Sequence, residues 1–197
     1  MIGGFGEATN NYEIFKMFIA CPRVSGMPLE NYFINAVEFG CFDEVVFMLH
    51  DSRLNTDWRV STAMEFAVIC KHLNIVQCIM KEFKDKISMQ LGSNALKTAA
   101  VRGWYVFTNL LLEHGFDPTY EFNHALRLAV KNGHYEIVTR LLKCPEVDPT
   151  DAGELDTGCA QDYDDYLTPL GSAIEEAQKS GDERMIQILN NGSSENL

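Results

Sequence analysis

The sequence is poor in bases, in paired cysteines and in long apolar runs, and each shortage removes a class of function. Its 16 Lys and Arg face 28 Asp and Glu, a formal charge of −12 with a pI near 4.8. A phosphate-binding surface needs clustered cations, so nucleic acid and anionic membrane are disfavoured as partners. Such acidity favours solubility and steering toward a basic partner. No apolar run approaches the roughly 20 residues needed to cross a bilayer. The opening stretch, MIGGFGEATNNYEIF, has neither the basic start nor the apolar core of a secretory leader. A cytoplasmic location is therefore expected, which would be a host cell's if the source is viral or an intracellular pathogen. The six cysteines (Cys21, Cys41, Cys70, Cys78, Cys144 and Cys159) form no CxxC pair and no Cys/His ligand spacing. With 46% hydrophobic residues a core forms without disulfides, so reduced, mostly buried thiols are expected.

What the chain does have is internal repetition. Asn123–Thr150 aligns with Ser93–Thr119: Ala125–Leu126 on Ala95–Leu96, Ala129 on Ala99, Gly133 on Gly103, and Leu141–Leu142 on Leu111–Leu112. Both segments end in Asp-Pro-Thr. Two earlier units fall into the same register, with Ala36 and Gly40 in one, and Ala67 with Lys71 in the glycine's place in the other. The alanines are separated by 31, 32 and 30 residues (36→67, 67→99, 99→129). Asn10–Ser25 matches Gly133–Asp148 through Tyr-Glu-Ile and Cys-Pro, as the second half of a leading unit. Thr168–Ala173 opens a last unit that closes with Gly181–Leu189; its alanine-to-glycine gap is eight, which predicts a first helix one turn longer.

These units resemble ankyrin repeats, whose signature is T-P-L-H-x-A, then a Gly-His turn, then V-V-x-L-L. The resemblance runs from about Asn10 to Asn190. Thr168–Leu170 keeps the Thr-Pro-Leu, and the inner units carry Ala63–Met64, Ala95–Leu96 and Ala125–Leu126 there instead. The Cys144–Pro149 ending is similar to divergent arrays of giant viruses and protists. The resemblance implies an all-α solenoid of stacked helix–turn–helix units with short finger loops, a single domain over 1–190. Its parts are a half repeat at 8–26, repeats at about 27–57, 58–88, 89–119 and 120–150, an acidic insert at 151–165 and a last repeat at 166–190. Residues 191–197 are expected to form a disordered tail.

The residues supply a physical case beside the family name. A small residue (Ala36, Ala67, Ala99, Ala129, Ala173) stands where two helix pairs approach closely. A glycine then turns the chain, because a left-handed backbone costs it little. Second helices carry apolar residues such as Ile137, Val138, Leu141 and Leu142, a stripe too wide to bury within one unit, so neighbours must cover it.

Catalytic chemistry is not visible. His72 and His134 sit at the Gly-His turn, where the resemblance implies that the imidazole caps or bridges backbone. His50 and His114 fall at second-helix ends, where a cation suits the helix dipole. Histidines spaced by whole repeats do not converge, so no metal site and no cofactor is expected. Gly3, Gly4 and Gly6 have no strand before them and no lysine after, unlike a phosphate loop. Asp162, Asp164 and Asp165 lack the glycine and closing Glu of a calcium loop. No nucleophile–base arrangement has motif context.

The remaining expectation is a protein partner, met by a monomer through a concave face and finger loops. In the ankyrin architecture the variable positions lie nine and eight residues before the repeat alanine, and two and three after it. Counting gives Trp58, Arg59, Tyr120 and Glu121 at finger tips, and Phe39, Ile69, Arg102 and Lys131 on inner helices. Aromatic and Arg residues most often dominate interfaces. Trp58 either faces a partner or folds back over a neighbouring finger, while Phe122 is expected to pack, and Trp104 to pack on the next repeat. The insert Asp151–Asp165 holds six acids and no base, either a second contact for a basic partner or a tolerated surface loop. An adaptor, inhibitor or effector is the leading reading; an enzyme or metal-dependent protein on the same frame, or a structural spacer, are the alternatives.

Overall fold

Backbone hydrogen bonds close the helix pairs with one recurring motif. The repeat alanine's carbonyl accepts a bond from the amide five residues on: Cys41 N to Ala36 O, His72 N to Ala67 O, Trp104 N to Ala99 O and His134 N to Ala129 O, all at 2.8–2.9 Å. A second bond nests inside each, as in Gly133 N to Val130 O. This double closure requires a left-handed residue just past the helix, and Gly40, Lys71, Gly103 and Gly133 have φ of 69, 65, 73 and 70°. Lys71 thus takes the conformation the sequence alignment assigns to its glycine-equivalent position. Because a side chain in that region costs about 1–2 kcal/mol, Lys71→Gly is expected to raise stability by about 1 kcal/mol in urea denaturation.

The computed structural model describes Met17 and residues 29–51, 56–151 and 172–195, with backbone alone at 29, 56–58 and 193–195. The leading half repeat apart from Met17, the acidic insert beyond Asp151, and Thr168–Leu170 lie outside the described residues. The chain falls into two compact units, 1–88 and 89–197, divided where the sequence places a repeat boundary. The first holds α1 (Leu29–Glu38), α2 (Phe42–Leu49), α3 (Thr56–Ile69) and α4 (Leu73–Glu82), followed by a 3-10 turn, Lys84–Lys86. Within it α1 packs on α3 and α2 on α4. The second holds α5 (Met89–Val101), α6 (Tyr105–Glu113), α7 (Tyr120–Lys131), α8 (Tyr135–Leu141), α9 (Ala173–Ser180) and α10 (Glu183–Glu195). There the first helices α5, α7 and α9 stack in one row, and the second helices α6, α8 and α10 in another. Each unit is an all-α stack of helix–turn–helix repeats, the fold class the sequence implies, and no strand occurs among the described residues.

Burial follows the repeat pattern. Ala67, Ala99 and Ala129 are fully buried and Ala36 nearly so, which lets first helices approach to backbone distance. On α8 and its C-cap the stripe Ile137, Val138, Leu141 and Leu142 is buried, each side chain contributing about 1.5–3 kcal/mol relative to exposure. A helix of seven residues is too short to persist alone; the stack holds it.

The histidines of the turn tie consecutive repeats together. His72 Nε2 donates to Glu38 O at 2.8 Å in the first unit, and His134 Nε2 donates to Val101 O at 3.0 Å in the second. Gly40 and Gly103 stand against these rings: a Cβ would lie 2.6 Å from His72 Cε1 and 2.7 Å from His134 Cε1. Glycine is required at both for close approach as well as for positive φ. Lys71 is followed one repeat later by Trp104 rather than by histidine. At the second-helix ends, His50 Nδ1 and His114 Nδ1 bond the carbonyls of Val46 and Leu110, each at 2.8 Å, and so cap their own helices.

Three sequence expectations change. The finger positions before α3 and α5 are not all loop: α3 runs 14 residues from Thr56 and α5 runs 13 from Met89. Ala63 and Ala95 stand where the ankyrin signature has proline, and alanine, unlike proline, lets a helix continue upstream. Nor is the first helix of the last repeat lengthened, since α9 has 8 residues. Ser172 caps it, its Oγ accepting from Glu175 N at 3.2 Å, and Ala177, fully buried and four before Gly181, fills the repeat-alanine position instead of Ala173. Third, α10 continues to Glu195, through most of the expected tail. Gly192 lies against Leu142, close enough that a Cβ would meet its Cδ1 at 2.8 Å, so the helix is packed at that residue.

Candidate partner-binding surface

The last residue of a first helix and the one after it are excluded from the core by geometry: the chain is leaving a buried row and reversing. At that point stand Phe39, 79% exposed, and Ile69, 45% exposed as the last residue of α3. Both belong to the first unit, in neighbouring repeats whose first helices pack on each other. The equivalent positions of the second unit carry Arg102 and Lys131, also exposed. Arg102 lies with its guanidinium carbon 5.8 Å from the Trp104 ring centre, a cation–π contact. Trp104 in turn stacks tilted on Phe107 of its own repeat at 5.9 Å.

The finger positions behave differently. Arg59 is completely buried one turn into α3 and donates Nη1 to the Met48 carbonyl. It is a core cation and offers no surface, because the helix begins at Thr56 where the sequence reading places a loop. Trp58 shares that helix, and its side chain lies outside the described residues. Phe122, expected to pack, is 47% exposed. Tyr120 is half-buried and Glu121 exposed.

Around Glu121 the backbone is unusual. Glu121, Phe122 and Asn123 all have positive φ, at 54, 57 and 55°, a conformation costing about 1–2 kcal/mol per residue. Several side chains hold it. Lys97 Nζ donates to Glu121 Oε2 at 2.7 Å, and His124 Nδ1 meets the same oxygen at 3.0 Å. Arg127 Nη2 donates to Glu121 O at 3.0 Å. Asn123 Nδ2 donates to Asp148 O at 3.2 Å and to Asp151 Oδ2 at 3.1 Å. Partial burial pushes the Glu121 carboxyl up, but the hydrogen bonds from Lys97 and His124 outweigh it and hold the group below its ordinary range. Burial pushes the His124 imidazole down, partly opposed by Glu121, and favours its neutral form. A carboxylate so engaged is no free base; it fixes the turn that presents Phe122.

Sequence reasoning missed Lys97, Asn123, His124 and Arg127 in this role. The signal was the repeated Asp-Pro-Thr. Asp117 Oδ1 accepts from Thr119 N and Oγ1 at 2.8 and 2.7 Å, and Asp148 Oδ1 from Thr150 N and Oγ1 at 2.8 and 2.6 Å. Each aspartate thereby makes the tight turn that ends its repeat.

Among the described residues no three His, Cys, Asp or Glu side chains are grouped to hold a metal ion, and no helix is long and apolar enough to cross a membrane. The described cysteines, Cys41, Cys70, Cys78 and Cys144, are free thiols. They are half-buried rather than mostly buried, and burial raises the thiol pKa at Cys41, Cys78 and Cys144, away from the reactive thiolate.

Residues 78–153 match the family model described as ankyrin repeats (3 copies). No curated protein matches the chain.

Proposed function

The chain is an ankyrin-repeat protein, and from that premise we propose a non-catalytic module that binds another protein where its first helices end. Ankyrin repeats generally serve protein–protein interaction. The observation that carries the proposal to this surface is the exposure of Phe39 and Ile69 in adjacent repeats. The same helices bury Phe33, Val37, Met64 and Val68 completely or nearly so, so the core does not lack room for apolar groups. Exposed Arg102, Glu121 and Lys131, with half-buried Tyr120, offer the corresponding contacts in the second unit. The role is that of an adaptor, an inhibitor or an effector, acting as a cytoplasmic monomer.

Phe39→Ala combined with Ile69→Ala tests this. In affinity purification with mass spectrometry from the native cell, the partner retained by the wild type is expected to fall at least tenfold. Stability in urea is expected to change by less than about 0.5 kcal/mol, because neither side chain is in the core. Full retention of the partner would remove this surface from the account. A spacer would retain no preferred partner in either form.

A further inference from the structure

The second helices of residues 89–197 carry a surface that the proposed partner site leaves unused. Two grooves of about 390 and 380 Å³ open there and share Tyr105 and Glu136. Thr139, Arg140 and Lys143 line the first; His134, Tyr135 and Arg184 help to line the second. They lie on α6, α8 and α10 or, for His134 and Lys143, just beyond the ends of α8, and these helices pack in sequence.

Three cations line these grooves in a chain of net charge −12, Arg140 and Lys143 the first and Arg184 the second. Arg140 is held in place from α6: its Nε donates to Asn109 Oδ1 at 2.7 Å and its Nη1 lies 3.7 Å from Cys144 Sγ. The guanidinium of Arg184 stacks 4.5 Å from the centre of the Tyr135 ring. Among the described residues none of Arg140, Lys143 and Arg184 has a carboxylate within ion-pair distance. Glu183 adjoins Arg184 in sequence, and Asp182, two residues before Arg184, accepts the Tyr135 hydroxyl at 2.6 Å. Among the described residues Glu136 is the one carboxylate lining the grooves. Tyr105 and its neighbour Val106 are 41% and 58% exposed at the start of α6, an apolar step beside the cations.

We propose that this face binds an acidic, extended segment of a protein partner, with carboxylates against Arg140, Lys143 and Arg184 and an apolar side chain on Tyr105. Arg pairs carboxylate in a planar fork, and fixing the guanidinium beforehand lowers the ordering cost of binding. A nucleic acid, charged at every phosphate, meets the repulsion of the whole acidic chain; a peptide with a few carboxylates meets only the local field. The residues are separate from Phe39 and Ile69, so either surface can fail without the other.

Fluorescence anisotropy with the full chain and a labelled octapeptide of alternating glutamate and leucine tests the proposal, its glutamine counterpart serving as control. The glutamate peptide is expected to bind, the glutamine peptide at least tenfold more weakly. Lys143→Glu with Arg184→Glu is expected to weaken the glutamate peptide tenfold or more, and Glu136→Gln to tighten it severalfold. Glu136→Gln removes charge without opening the stack, so its gain of affinity keeps the test decisive if the double variant is unstable. Equal affinity for the two peptides, or indifference to all of these substitutions, would overturn the proposal. So would severalfold tighter binding after deletion of 152–165, since the chain's own acids would then be the occupant.

Discussion

Ala129→Glu is expected to cost about 3–5 kcal/mol, a large share of the stability of a small repeat array. Ala129 is fully buried on α7 in a cluster with Ala100, Ala125, Ala173 and Ala177. These small residues set the spacing of the first-helix row. A glutamate there must push helices apart or bury an unpaired carboxylate, and the surrounding side chains offer it no hydrogen-bond donor from the alanine cluster. Lys131→Glu, two residues on and exposed, is the matched control and is expected to change stability by less than about 0.5 kcal/mol. Urea denaturation of both variants separates a charge effect from a stacking effect. Equal, small losses would mean that Ala129 does not face the neighbouring repeats.

Gly103→Val is expected to cost about 3 kcal/mol. Leaving glycine at φ 73° costs about 1–2 kcal/mol, toward the upper end for a β-branched side chain. The new Cβ also falls 2.7 Å from His134 Cε1 and 2.9 Å from Nδ1. The imidazole must then leave the Val101 carbonyl, losing a hydrogen bond of about 1 kcal/mol net. Because the second part acts through His134, the losses from Gly103→Val and His134→Ala are expected to be less than additive. A double-mutant cycle in urea measures this coupling. Strict additivity would show that the ring and the glycine do not meet.

Most of the fold was legible because it repeats. A single alanine, a turn residue and a double-leucine stripe mean little once; recurring in register, they place Ala129, Gly133 and Leu141–Leu142 correctly. Even Lys71 was readable as a left-handed residue, since its neighbours fixed the alignment. Legibility failed where register depended on one unit. In the last repeat Thr168–Leu170 resembles the family signature, yet the four-residue gap to Gly181 is kept by Ala177, and Ser172 caps the helix. The sequence also could not show that Ala63 and Ala95, by not being proline, prolong α3 and α5. That extension buries Arg59, whose type suggested an interface. Helix-end exposure at Phe39, Ile69, Arg102 and Lys131 was readable, because those positions follow a known helix by a fixed count. The network around Glu121 was not, since it joins Lys97, Asn123, His124 and Asp148 from three segments through a left-handed turn.

Site-specific photo-crosslinking tests the central claim most directly. A benzophenone side chain placed at position 39, beyond the end of α1, should form an adduct with the partner in the native cell. The same group at position 77, exposed on the second helix α4, should not. Adducts at 77 with none at 39 would place the partner on the other row of helices and contradict the account.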